Sequence, residues 1–283
     1  MMSAFGPAAR AFDAIAPEFD ARFGNWASVA AQRRAVRAAL IEEFPARGRI
    51  LEIGGGTGED AAFLATQGYE VALTDASPAM VSLARSKLEG LNGSAELAAA
   101  EELEALAARR ESAGKALFDG AFSNFAPLNC VIDLQPVARA LARMLKPGAS
   151  AMLVLFGTFC PGETITELLR GRPQFALRRL RRGAAPARLS GCQFDVVYHR
   201  RSELVQAFAP WFVLERRIGI GIAVPPSAAE PWISRHRRLL TAMESIDKAL
   251  SRPLAALGDH VLYRFRRNSA PASGAGAVAP TME

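Results

Sequence analysis

Two carboxylates frame the stretch of this chain best suited to holding a ligand: Glu52, in "LEIGGGTGED", and Asp75, in "VALTDASPAM". Between them Gly54, Gly55, Gly56 and Gly58 leave a nearly bare backbone, preceded by the apolar "RILEI" and followed by an alanine-rich run. A strand, a glycine turn and a helix N-terminus in that order present free N–H groups and a positive dipole end. Glycine also lets a ligand come close to the main chain. A carboxylate about 20 residues further on, at the end of the next strand, can accept both hydroxyls of a ribose. This is chemistry for a nucleoside or a dinucleotide. The dinucleotide fingerprint needs a small residue where Glu59 stands, and a carboxylate there would repel a pyrophosphate. A P-loop is absent from the sequence as well.

Glu52, Gly54, Gly56 and Gly58 match E/D-x-G-x-G-x-G, and the run resembles motif I of the class I S-adenosylmethionine-dependent methyltransferases. Its companions follow in order. The resemblance implies S-adenosylmethionine as donor, with Asp75 on the ribose and Ala76 and Met80 at the adenine pocket. "AAAEELEAL" stands where the family often has G-D-A-E-D-L, so Ala99 falls where an adenine-contacting side chain is usual. Ala100 through its backbone and Glu101 through its side chain are the remaining candidates. "FDGAFSNFAPLNC" corresponds to the fourth strand and its loop, which sets Asn124 and Phe125 beside the methionine moiety. "LKPGASAMLVLFG" fits the usual L-[RK]-P-G-G joint, with Ala149 in place of the second glycine.

The activity so implied is transfer of a methyl group to a small molecule, with oxygen as the expected acceptor atom, by direct displacement. A sulfonium is a good leaving group, so the protein chiefly aligns the reactants and excludes water. A base is needed only when the acceptor is a hydroxyl. His199 and Glu163 are the catalytic candidates, and His236 and His260 are the other histidines. Phe19, Asn129 and Cys130 are expected as substrate neighbours. Three other functions compete: a lipid or quinone methyltransferase at a membrane surface, a donor-binding protein without catalysis, and a nucleic-acid methyltransferase. The last is disfavoured, because "SNFAP" replaces the [DN]-P-P-[YFW] of amino-directed DNA enzymes and Cys160 precedes Pro161 rather than following a proline. No nucleic-acid partner is expected, and the oligomeric state is left open.

These residues must be carried by alternating elements. Strands are expected at 49–53, 69–74, 94–99, 117–123, 150–156, 211–220 and 260–267, with helices at 58–67, 77–88, 131–145 and 201–208. Such alternation predicts an α/β protein with a parallel sheet and helices on both faces, and the resemblance implies a Rossmann-like, doubly wound, seven-stranded sheet whose last strand is antiparallel, with helical lid insertions. The expected organisation is an N-terminal helical segment (1–46), a donor-binding core (47–156), an insertion forming a substrate lid (157–200), the rest of the core (201–267) with a helical insertion at 221–258, and a disordered tail (268–283). In the front segment Phe12, Ile15, Phe19 and Phe23 mark a short amphipathic helix broken at Pro17, and Ser28 caps the next. Residues 157–200 show no clean strand, and Trp232 and Met243 of the later insertion are read as core.

The 283 residues are 50% hydrophobic and 22% charged, enough for a sizeable core. Three widely spaced cysteines suit neither a disulfide framework nor a metal site, so no metal is expected and a cytoplasmic, reducing location is. No apolar run is long enough to span a membrane. The net charge of +6 arises in the second half, above all in "RGRPQFALRRLRRGAAPAR" (171–188), where peripheral contact with an anionic membrane competes with a plain solvated face.

Overall fold

Apolar five- and six-residue runs alternating with helices give the computed structural model, which describes residues 6–269, a single large sheet. Two helices lead in, α1 (Pro7–Phe23) and α2 (Ala27–Glu43). There follow β1 (Arg49–Ile53), α3 (Glu59–Thr66), β2 (Glu70–Asp75), α4 (Pro78–Lys87), β3 (Gly93–Leu97), α5 (Leu103–Ser112), β4 (Phe118–Ser123), α6 (Gln135–Met144) and β5 (Leu145–Phe156). The first insertion holds α7 (Pro161–Leu169), α8 (Pro173–Ala176) and a hairpin of β6 (Ala184–Leu189) and β7 (Cys192–Val197). The chain then passes through α9 (Arg201–Phe208), β8 (Phe212–Ile220), α10 (Arg237–Leu250) and β9 (His260–Arg267).

The sheet runs β3-β2-β1-β4-β5-β9-β8. The first five strands in that order are parallel, and β9 is antiparallel to both β5 and β8. The order reverses between β1 and β4, and ligands of open sheets bind at the carboxyl ends on either side of such a reversal. Each face of the sheet has its own core. Leu106, Val137, Leu141, Leu204 and Phe208 cover one side, where Phe208 stacks on Phe265 at 4.5 Å. Val36, Leu40, Leu64 and Ala84 cover the other. Strands buried on both faces explain runs such as "AMLVLF" that lack any polar alternation.

Four local expectations are corrected. The front helix is not broken at Pro17: α1 continues through it to Phe23, held by packing of Ile15, Ala16, Phe12 and Phe19 around Met80. Ser28 is no cap, because α2 starts a residue earlier, and its hydroxyl instead donates to Glu230 at 2.7 Å. The first insertion contains a six-pair hairpin where no strand is expected. Trp232 is half exposed and not core, although Met243 does pack against Leu240 and Ile233. Helix α5 has no counterpart among the expected elements, since its sequence "LEALAARRES" is nearly as charged as it is apolar. The expected disordered tail lies outside the described residues from position 270 onward.

Candidate active site

The glycine turn is folded back onto β2. Backbone N–H groups of Gly54 and Gly55 both donate to the Thr74 carbonyl, at 2.8 and 3.1 Å. Gly54, Gly56 and Gly58 have φ of +66°, +56° and +80°, a region that a Cβ disfavours. A Cβ on Gly54 would stand 2.4 Å from Pro127, whereas one on Gly56 would meet nothing within 4 Å. Gly54 is therefore bare for packing and Gly56 for something outside the protein.

Asp75 closes this space from the next strand. Its two carboxylate oxygens accept from the N–H groups of Gly56 and Ser77, each at 2.9 Å, which fixes the carboxylate in place. Burial raises its pKa, and the hydrogen bonds from Ser77, Gly56 and Ala76 oppose that rise. Below the turn Glu52 is fully enclosed. Burial first, and then the nearby Asp60, push its carboxyl well above the usual range, and its Oε2 has no hydrogen-bond partner. A buried acid with an idle oxygen is a polar group that still needs a partner. Gly56, Asp75 and Glu52 together fit S-adenosylmethionine: open main chain, a ribose acceptor and a polar group without a partner. Met80 is buried at the start of α4, its N–H on the Ser77 hydroxyl, with Ala76 just before it. Ala100 and Glu101 lie in the short turn after β3; Glu101 is exposed, and its charge is felt at Cys130.

At the other end of the turn, Asp60 gathers groups that sequence spacing does not connect. It pairs with Arg33 at 3.0 Å and Arg37 at 2.6 Å from α2, and accepts from the Asn124 amide at 2.8 Å. Asn124 in turn accepts from the Phe125 N–H, and Arg33 lies over the Phe125 ring at 4.8 Å. Phe125 and Ala126 both have positive φ, +57° and +66°, a strained pair of the kind that collects at functional sites.

Beyond Phe125 lies the most heavily bonded part of the molecule. His260, at the start of β9, stacks on Phe156 at 5.0 Å and meets Phe125 edge-on at 5.7 Å. Its Nδ1 is 3.2 Å from Gln32 Oε1 and 3.4 Å from Asp259 Oδ2. Gln32 Nε2 donates to Asp259, which orients the Gln32 amide and leaves only oxygens in front of Nδ1. The proton of neutral His260 is thus on Nδ1, and Nε2 carries the lone pair. Among the described residues Nε2 makes no hydrogen bond. Asp259 also receives Arg179 at 2.6 Å, and Arg179 joins Glu163. Burial opposes charge on Asp259, but His260 and Arg179 more than offset it and hold the carboxyl below the usual range.

The expected catalytic pair is corrected by these contacts. His199 sits behind the site with Nε2 2.9 Å from the Val131 carbonyl, so that nitrogen donates and is not available as a base. Burial also lowers its pKa. Glu163 is buried at the first turn of α7 and bound by both Arg178 and Arg179, which makes it an anchor rather than a base. Asn129 donates to the Val197 carbonyl at 2.6 Å, accepts from the Phe156 N–H at 3.0 Å and is fully buried, so it holds the wall. Cys130 is partly covered, and burial pushes its thiol to about 11. Phe19 belongs to the α1 cluster that packs on Met80. Gln32, Arg33, Arg179 and Asp259 escape sequence reasoning. The one local signal is the adjacent Asp259 and His260 at the start of a strand.

Comparison with known proteins bears on the domain and the fold. Residues 50–148 match the family described as methyltransferase domain. A curated relative, the biotin biosynthesis bifunctional protein BioHC of Cellvibrio japonicus (strain Ueda107), is 34% identical over 163 residues, covering 56% of this chain and 30% of its own length. Among solved structures, an S-adenosylmethionine-dependent methyltransferase of Methanosarcina mazei superposes with a TM-score of 0.52 at 20% identity, over 81% of this chain and 96% of that one. The CcbJ methyltransferase of Streptomyces caelestis gives 0.53 at 15% identity, over 84% and 89%. At these identities the two structures speak for the fold alone, while the matched domain carries the donor motif. Residues 50–148 thus match a methyltransferase domain, and the chain spans under a third of the length of its curated relative.

Proposed function

We propose that the chain transfers a methyl group from S-adenosylmethionine to an oxygen atom of a small molecule, with His260 as the base. The observation that carries the reading is the free Nε2 of His260, held beside Phe125 by a proton on Nδ1 that Gln32 and Asp259 keep in place. Asp75 would hold the ribose, Gly56 would face the donor's main-chain side, and Glu52 would supply its idle carboxyl. The donor brings a methyl group on a sulfonium sulfur, which departs with the bonding pair as the carbon is taken by oxygen. Nε2 takes the proton that the acceptor hydroxyl loses in that step. Phe125 and Phe156 keep water from the imidazole, and Asp259 stabilises the imidazolium formed. BioHC, a relative named for biotin biosynthesis, supports a small-molecule acceptor.

The test is incubation of the purified chain with methyl-labelled donor and a small-molecule extract of its host, beside His260→Gln. Label in a low-mass product that carries a base-labile or ether-type methyl, lost by about 10²-fold in the variant, is the expected result. Label at nitrogen or carbon, or undiminished in His260→Gln, overturns the assignment of oxygen and base. Tight donor binding without labelled product overturns the enzyme reading.

A further inference from the structure

The first insertion is patterned inside out. In α7 the two acids, Glu163 and Glu167, point inward and are buried at 4% and 8% exposure, while Ile165, Leu168 and Leu169 point outward at 57%, 53% and 84%. Their spacing of three and four residues puts the three apolar side chains on one helix face. The next turns repeat the inversion: Arg179 is buried on Glu163 and Asp259, and its neighbours Leu177 and Leu180 are half exposed, as is Phe175. A helix that only needed to be soluble would face the other way.

Charge selects what this surface meets. Glu163 and Glu167 are the only acids between residues 161 and 189, and both are consumed, Glu163 by Arg178 and Arg179 and Glu167 by Arg170. The exposed face therefore displays Arg172, Arg181 and Arg182 among the leucines with no carboxylate between them. Aliphatic side chains interleaved with arginines are suited to an interface of apolar tails and anionic headgroups, where the stems lie along the chains and the guanidiniums reach the phosphates. A protein partner also favours arginine, but set around an apolar centre with Tyr and Trp, neither of which occurs between residues 161 and 189. We infer that α7, α8 and the arginine-rich turn after them form a docking face for the surface of an anionic lipid bilayer. The back of the same segment is fastened to the core, since Arg179 also donates to the Gly157 and Asp259 carbonyls, so the face is presented by the fold.

The test is co-sedimentation of the full chain with vesicles of phosphatidylcholine alone or with about one-third phosphatidylglycerol, each at low and high salt. Binding at least tenfold stronger to the anionic vesicles, and weakened by salt, is expected. Leu169→Glu/Leu177→Glu and Arg181→Glu/Arg182→Glu should each lose tenfold or more while keeping the wild-type circular dichroism and affinity for S-adenosylhomocysteine. Ile132→Glu, which alters an apolar side chain exposed elsewhere at 72%, should bind as wild type. Equal partition to both vesicle types, or wild-type protein left in the supernatant, overturns the inference. So does a concentration-dependent dimer that Leu169→Glu/Leu177→Glu dissociates, since a second copy would then cover the face. None of these readouts depends on methyl transfer.

Discussion

Replacing Asp259 by Asn keeps the outline of the side chain and removes its charge. In the native protein Oδ1 accepts from Arg179 and Oδ2 from Gln32, with the His260 imidazole alongside. The amide has one oxygen for these two donors, so its NH₂ must face one of them and at least one bond is lost. Arg179 keeps Glu163 and two carbonyl oxygens. Breaking a buried pair costs about 3–5 kcal/mol, and the surviving Glu163 places this case near the lower end, about 3 kcal/mol. At roughly 2–4 °C per kcal/mol for a chain of this size, the melting temperature should fall by about 6–12 °C. The pH dependence has a definite sign. Because the folded carboxyl is held below its unfolded value of about 3.9, its stabilisation is complete above that value and is lost as pH falls through the folded one. The gap between wild type and variant should therefore be constant through neutral pH and narrow only in acid. Catalysis should suffer separately, by about 10²-fold in kcat, because Nδ1 loses the carboxylate that keeps the proton there. Calorimetric melting across pH, with single-turnover methyl transfer once the acceptor is known, checks both. A variant that melts with the wild type at neutral pH refutes the buried-pair reasoning; normal turnover refutes the role assigned to His260.

Four further outcomes are expected. Asp75→Ala should weaken S-adenosylhomocysteine binding by at least about tenfold, or about 1.4 kcal/mol, in isothermal titration; a change below about threefold would detach Asp75 from the donor. Gly54→Ala should destabilise by the left-handed strain of about 1–2 kcal/mol plus about 1–3 kcal/mol of overlap with Pro127. Gly56→Ala should show the strain alone yet lose more donor affinity, and equal melting losses for the two would contradict the open space found at Gly56. His199→Gln should cost about 1 kcal/mol of stability and leave turnover unaltered, so a large fall in kcat would reinstate His199 as base. Burial holds the Cys130 and Cys160 thiols at about 11, so a thiol reagent at mildly alkaline pH should modify Cys192 first and the other two only on unfolding.

What can be read from the sequence divides at Phe125. The residues proposed for the donor are placed by short spacing: the glycines, Glu52 and Asp75 belong to consecutive strands and turns, where type and interval determine position. The cluster around His260 depends on contacts such as Gln32 with Asp259 and Arg179 with Asp259, 227 and 80 positions apart, which no local period encodes. His199 and Glu163 are reasonable candidates by place in the chain, yet the first lies against the Val131 carbonyl and the second is claimed by two arginines. The hairpin of the first insertion does leave a trace. Ser190 and Gly191, at φ of +48° and +80°, are the two-residue turn, and "ARLSGCQF" alternates on both sides of it. The inverted helix α7 hides for the opposite reason: reading apolar residues as inward and acids as outward gives the wrong face.

One helix braces the elements proposed to hold the donor. Helix α1 is tied to the donor-holding parts at two points. Asp13 accepts from the Ser77 hydroxyl at 2.7 Å and the Ala79 N–H at 2.8 Å, and Asp20 accepts from Thr57 at 2.6 Å and Lys87 at 2.7 Å. Its Ile15 and Ala16 also cover Met80. All of these bonds go to the glycine turn or to the start and end of α4, so α1 braces both elements at once. If the donor enters past α1, opening that path breaks a partly exposed ion pair and several polar contacts together, and turnover limited by it would quicken with ionic strength, in a molecule whose proposed docking face on α7 loses its grip under the same change.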